Sequence, residues 1–258
     1  KPIVLTQHVG LVEHKSSFVM GVQRVVYRLF GRTIFSAADT IIVYNRNVKD
    51  FLVAQGVDIR KIMELRNGIE FSNFSDIGPI DRTEVLRSFG AEMKKPSVLF
   101  VGRFVAKKGV DILFGAHDDR YDIIFAGSGN IPSEWTNQKG VYFIGPFSRT
   151  QLAQLYHASD VFVFPAAGEI FTLVMQEAMA SGLPIITTDD SGYYAYEVDR
   201  TLIKFVTPES SVLKREIINI LDDRDLAVRM GAYSRDLASR WFDWDANIQP
   251  ILTLYKNL

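Results

Sequence analysis

Two carboxylates and two cations carry the clearest chemistry in this chain. Glu169 and Glu177 lie in Val161–Gly192, VFVFPAAGEIFTLVMQEAMASGLPIITTDDSG, with seven residues between them. Arg103 and Lys108 lie in Gly102-Arg103-Phe104-Val105-Ala106-Lys107-Lys108-Gly109-Val110-Asp111. Arginine grips a phosphate with two parallel donors, and lysine supplies a compact point charge. A solvated basic loop is the plain alternative. Paired carboxylates serve glycoside hydrolysis when they stand ~5 to 9.5 Å apart. Eight positions along a helix span about 12 Å, so the spacing argues against hydrolysis and for separate tasks. Glu177 follows Leu173 by four residues and Val174 by three, on their side of a helix that is nearly apolar all round. A carboxylate there is costly unless something binds it, a ligand or neighbouring backbone amides.

These residues need elements to hold them. Val161–Phe164 is an apolar run suited to a strand buried on both faces, and Pro165 ends it. Ala166-Ala167-Gly168-Glu169 make a tight loop. A helix is expected from about Thr172 to Ser181, stopped by Gly182 and Pro184, and Pro184–Thr188 is the next strand. This is a βαβ crossover. Ser97–Val101 is a strand ending at Gly102, which frees the backbone where Arg103 and Lys108 reach outward. In an open α/β sheet, ligands bind beyond the carboxyl ends of the strands. The helix after Phe171 points its N-terminal amides, with roughly half a positive charge, at the same crevice.

Further strands are expected at Tyr121–Phe125, Val141–Ile144 and Leu202–Val206, and a helix at Thr150–Ala158. Six buried strands with intervening helices give a doubly wound parallel sheet. Before it come a strand at Pro2–Gln7, a helix at Phe18–Ala38, a strand at Thr40–Tyr44, a helix at Asn47–Gln55 and a strand at Lys61–Leu65. The turn-rich stretch from Phe71 to Pro96, with a helix capped by Asp81, holds the expected domain boundary, near residues 71–80. The tail from Ser211 reads as helices broken near Asp222-Asp223 and Asp243.

Composition limits the function classes. The 258 residues are 47% apolar and 23% charged, ordinary for a globular protein. Lysine plus arginine is 29 against 30 for aspartate plus glutamate, which leaves no electrostatic footprint for nucleic acid. Cysteine is absent, excluding disulfides and thiol chemistry. No H-x-x-x-H pair or carboxylate triplet suggests a metal. Gly127-Ser128-Gly129 follows a strand and reads as a turn or as an opening for a base or ribose. It is not the dinucleotide fingerprint, which needs glycine where Pro132 stands.

The segment Pro165–Gly192 resembles the signature of retaining nucleotide-sugar glycosyltransferases of the GT-B fold, family 4 type. It matches at Pro165, Glu169, Phe171, Leu173, Glu177, Ala178, Met179, Ala180, Gly182, Pro184 and Ile186. Gly102, Arg103, Lys108, Gly109 and Asp111 match that family's G-R-x-x-x-x-K-G-x-D. Thr172 departs from it, standing where glycine is usual, and its hydroxyl is a candidate hydrogen-bond donor to a phosphate in place of a close backbone approach. The resemblance implies that Arg103 and Lys108 clamp the donor diphosphate, Glu169 binds hydroxyls of the transferred sugar, and Glu177 binds the nucleotide's ribose. It adds Phe171, Leu173, His8 (near sugar and phosphate) and Gly145 (at the edge of the base pocket) to the donor site. Glu197 departs from the family in its surroundings, Tyr193-Tyr194-Ala195-Tyr196, and is read as structural.

The fold so implied is α/β and GT-B-like. A complete C-terminal Rossmann-like doubly wound parallel sheet at 76–240 binds the donor. Residues 1–75 form part of an N-terminal, acceptor-side Rossmann-like domain, and a C-terminal helix at 241–258 returns to it. The front of the acceptor domain is expected to be missing. The implied activity is metal-independent, retaining transfer of a sugar from a nucleoside diphosphate to an acceptor hydroxyl in the cytoplasm, with no cofactor. Expected partners are a nucleotide-sugar donor and a carbohydrate, lipid-linked or small-molecule acceptor, without nucleic acid. Peripheral membrane contact stays open, since no amphipathic basic helix is obvious in the sequence. A binding module without catalysis and a GT-B-fold nucleotide-sugar 2-epimerase are the alternatives.

Overall fold

A computed structural model describes residues 1–8, 10–11, 16–91 and 94–257. It divides into two compact units, residues 1–67 with 245–258, and residues 68–244.

The first unit carries a three-stranded parallel sheet of β1 (Val4–Gln7), β2 (Thr40–Val43) and β3 (Ile62–Glu64) in that order. Val4 stands opposite Thr40, and Ile41 opposite Ile62. The helix expected at 18–38 is broken in register rather than in direction. It runs as α1 (Ser17–Val26), a π turn (Tyr27–Gly31) and α2 (Arg32–Ala37). Next, α3 (Arg46–Ala54) is capped by Asn45, whose side chain accepts from Val48 N–H at 2.9 Å. Phe35, Ile41, Val43, Val48 and Leu52 form the core.

The second unit opens with α4 (Ser72–Ser75) and α5 (Arg82–Ser88). Asp81 caps α5 through the N–H groups of Thr83 and Glu84. There follow β4 (Ser97–Phe104), α6 (Val110–Gly115), β5 (Asp122–Gly129), β6 (Val141–Ile144), α7 (Arg149–His157) and β7 (Val161–Phe164). Then come α8 (Leu173–Ala180), β8 (Ile185–Thr188), β9 (Lys204–Val206), α9 (Ser210–Asp222) and α10 (Arg224–Trp241). The six strands are parallel in the order β6-β5-β4-β7-β8-β9. Chain direction across the sheet therefore reverses between β4 and β7, the switch point where such sheets open a crevice. Phe100, Phe125, Phe162 and Phe164 are fully buried, and Phe100 stacks on Phe164 at 5.7 Å. At the far end of the same strands, Arg82 reaches Asp160 (Nη1 to Oδ1, 2.7 Å), and Asp160 accepts from Ser97 N–H at 2.7 Å.

Three expectations are corrected. β4 does not stop at Val101, nor β5 at Phe125. Both run on through glycines, with Gly102 opposite Gly127 and Phe104 opposite Gly129, so Gly127–Gly129 is strand rather than turn. The boundary falls after Asn67, ahead of residue 75. Ile69 N–H donates to Phe242 O and Ile69 O accepts from Trp244 N–H, each at 2.8 Å, which ties the segment into the second unit. For the same reason that unit ends at Trp244 rather than at 240. The tail forms α11 (Trp244–Asn247) and α12 (Gln249–Lys256), and from Asp245 it clusters with the first unit. Among the described residues no helix is long and apolar enough to cross a membrane.

Candidate functional site

The carboxyl ends of β4, β5 and β6 present a row of glycines, Gly102, Gly127 and Gly145. A Cβ on Gly127 would lie 1.9 Å from Gly102 O, and one on Gly145 would lie 2.5 Å from Gly127 O. Side chains are excluded there, and the strand ends offer bare backbone to whatever sits above them.

Beyond Gly102, Arg103 is exposed and its side chain makes no hydrogen bond or ion pair among the described residues. The chain then makes a 3₁₀ turn at Ala106–Lys108 and turns at Gly109, where φ is +70°. A Cβ on Gly109 would stand 2.3 Å from Pro165 O. Only glycine lets this loop lie against the one that follows β7. That approach brings Lys108 to Glu169. Their side chains form an ion pair, Nζ to Oε2, and are 18% and 17% exposed. The Lys108 ammonium also lies 5.1 Å from the Phe164 ring centroid.

The loop from Pro165 to Thr172 is held from beneath. Phe171 has φ +41°, a left-handed conformation rare for a bulky residue. Its buried ring meets Tyr193 at 5.0 Å, Tyr196 at 4.8 Å and Phe242 at 5.0 Å. Gln176 Nε2 donates to Phe171 O at 2.7 Å, and Tyr193 Oη donates to Glu169 O at 3.1 Å. Burial pushes the Tyr193 phenol up to about 12, so it stays a donor. Thr172 is the N-cap of α8, yet its side chain makes no cap bond and its Oγ1 is buried without a partner.

One turn into α8, Glu177 is partly buried. The Tyr156 hydroxyl of α7 lies 2.9 Å from its Oε2 and 3.1 Å from Val174 O. Burial raises the Glu177 carboxyl; the Tyr156 hydrogen bond and, less, the Arg149 charge pull it back. Arg149 itself pairs with Glu70 at 2.8 Å. The helix is not buried all round, because Leu173 is 45% exposed. Met175, Gln176, Ala178, Met179 and Ala180 face the core, and Leu173 and Glu177 edge the opening.

Lys108 and Glu169 are thus brought together by the loops that follow β4 and β7, and Arg103 lies on β4 before the first loop. Phe171 and Thr172 end the second, Leu173 and Glu177 lie in the α8 that follows it, and Gly102 and Gly145 lie at the neighbouring strand ends. His8 belongs to the first unit, where its exposed ring lies 5.2 Å from Tyr44. Glu197 is exposed and makes no hydrogen bond or ion pair among the described residues, so no contact supports a structural role. Tyr156, Tyr193 and Tyr196 were not anticipated. Their signal was a tyrosine in an apolar setting, since a buried phenol needs a partner. No cluster of three metal-ligating side chains occurs among the described residues.

Comparison with known proteins decides the family. The model of glycosyl transferases group 1 matches residues 81–237, more than half of the chain. The chain belongs to the group 1 glycosyl transferases. One relative is D-inositol 3-phosphate glycosyltransferase of Xylanimonas cellulosilytica, 26% identical over 98% of this chain and 66% of its own. Another is GDP-mannose-dependent alpha-mannosyltransferase of Mycobacterium tuberculosis, 33% identical over 66% of this chain and 42% of its own. The chain thus spans between about two fifths and two thirds of these relatives' length. Among solved structures, Anabaena HepE in complex with UDP-glucose aligns with a TM-score of 0.81 at 21% identity, covering 100% of this chain and 73% of that one. The likeness establishes the α/β, GT-B-like fold with Rossmann-like parallel sheets.

Proposed function

We propose that this chain carries the donor site of a retaining glycosyltransferase, which moves a sugar from a nucleoside diphosphate to an acceptor hydroxyl without a metal. The observation that supports it is the Lys108–Glu169 ion pair between the loops after β4 and β7, at the switch point of the sheet, with the unpaired cation Arg103 on the same β4 segment. A diphosphate needs cations, and a sugar needs a hydrogen-bonding carboxylate beside them. Arg103 and Lys108 would bind the diphosphate, aided by the N-terminal amides of α8, where no side chain caps the helix. Glu169 would then exchange its ion pair for sugar hydroxyls, and Glu177 would accept from the ribose. Charge that develops on the leaving diphosphate meets the same cations, the kind of preorganised stabilisation that is worth several kcal/mol. No side chain is assigned as a nucleophile; the acceptor attacks from the face the diphosphate leaves.

The relatives act on or with different donors: one is named for GDP-mannose, and HepE binds UDP-glucose. The base is therefore an open choice between UDP, GDP and ADP. Binding without turnover is the second reading. Incubation with nucleotide sugars and candidate acceptors separates the two. Transfer with the anomeric configuration kept, read by NMR, supports the enzyme. Inverted product, or epimerised donor with no transfer, overturns it.

A further inference from the structure

The first unit carries a second cationic feature that the donor-site reading does not use. Arg24, Arg28 and Arg32 are spaced four apart along α1, the π turn and α2. All three are exposed, and none of their side chains makes an ion pair or hydrogen bond among the described residues. Together with Tyr27, Ala54 and Gln55 they line a cavity of about 330 Å³. No carboxylate lines it among the described residues. Two other exposed arginines of this unit are paired, Arg46 with Asp50 and Arg60 with Asp58.

The backbone holds the three cations in one column. Four residues of α-helix overshoot a turn by about 40°, so two such steps would fan the side chains apart. The π turn at Tyr27–Gly31 is wider, and takes back part of that rotation. The floor is fixed as well. The Tyr27 ring packs edge-on against Phe51 at 4.9 Å, while its hydroxyl accepts from Gln7 Nε2 at 3.3 Å and donates to Gly10 O at 3.4 Å. With its proton committed, Tyr27 shapes the cavity and leaves the guanidinium groups as the donors.

We propose that this cavity is a phosphate-binding site for a phosphomonoester or phosphodiester. Three unpaired guanidinium groups with no acid among the described residues that line the cavity repel one another, and a phosphate relieves that repulsion while meeting their forked donors. The phosphate has two sources, a soluble phosphorylated compound or the headgroup of an anionic lipid. The same helix exposes Phe18 (77%), Leu29 (62%) and Phe30 (62%), apolar side chains that the lipid source would bury and the soluble source would not.

Two probes test the proposal on the full chain. One is calorimetric titration with glycerol 3-phosphate. The other is co-flotation with phosphatidylcholine vesicles that contain phosphatidylglycerol, against phosphatidylcholine alone. Binding in either arm identifies the source and must weaken as salt is raised. Arg28→Gln should weaken it about tenfold, and Arg24→Gln/Arg28→Gln/Arg32→Gln should abolish it. Arg46→Gln, outside the cavity, should leave it unchanged. If the triple variant unfolds, Arg28→Lys keeps the charge but loses the fork, and intermediate binding is expected. Failure of both probes with the wild-type chain overturns the proposal. So does equal binding by the arginine variants, or an equal loss in Arg46→Gln. None of these outcomes bears on the donor site of the second unit.

Discussion

Replacing Tyr156 by phenylalanine removes one oxygen and tests how Glu177 is held. The Tyr156 ring is fully buried, 6.0 Å from Phe74 and 5.9 Å from Phe162, and phenylalanine keeps those contacts. What is lost is the hydroxyl shared between Glu177 Oε2 at 2.9 Å and Val174 O at 3.1 Å. A hydrogen bond to a charged group contributes about 1.5–3 kcal/mol. At roughly 2–4 °C per kcal/mol for a unit of this size, the unfolding temperature at neutral pH should fall by about 3–12 °C.

The sign of the pH dependence follows from burial. The Glu177 carboxyl is already raised above its ordinary 4.5, and the Tyr156 bond opposes that rise. Without the hydroxyl it rises further. A carboxyl raised in the folded state stabilises it fully below its unfolded value, and that contribution is lost as pH rises through the folded one. The deficit of Tyr156→Phe should therefore be small on the acid side and grow toward neutrality. Thermal unfolding across that window, with nucleotide binding measured beside it, is the assay. A deficit that is equal at all pH values, or none at all, would refute the idea that Tyr156 keeps Glu177 ionised.

Other perturbations separate the parts of the site. Glu169→Gln should retain binding of a free nucleoside diphosphate, since Lys108 is released from its ion pair, while sugar transfer falls by more than about a hundredfold; equal loss of both would remove Glu169 from the sugar role. Gly109→Ala drives a methyl group to 2.3 Å from Pro165 O at a left-handed position, and should cost at least about 1 kcal/mol of stability and weaken nucleotide binding; unchanged melting and binding would show that the two loops are not pressed together. Phe171→Gly relieves a left-handed backbone but forfeits a buried ring, and should destabilise by about 2–4 kcal/mol in denaturant titration, stabilisation being the contrary result.

Much of the second unit was legible in sequence because its signals are local. The apolar run Val161–Phe164, the stop at Gly182 and Pro184, and the Asp81 cap each act within a few residues, and the observed elements follow them closely. Glycine misled at the strand ends. Gly102 and Gly127 read as breaks, yet they pair across β4 and β5 because two backbones there leave no room for a Cβ. The Lys108–Glu169 pair joins residues 61 apart, and no periodicity reports such a distance. The tyrosines were read only as a departure from a pattern, although Tyr193 and Tyr196 brace Phe171, and Tyr193 also holds the Glu169 carbonyl. The arginine column was hidden because a straight helix would have spread Arg24, Arg28 and Arg32, and the π turn that gathers them has no marker in Tyr27–Gly31.

The most direct measurement of the donor-site account is calorimetric titration of the chain with UDP, GDP and ADP, repeated on Arg103→Ala and Glu177→Ala. The account predicts saturable binding of one nucleotide, weakened at least about tenfold in each variant. Binding of that nucleotide unaffected by both substitutions would contradict it.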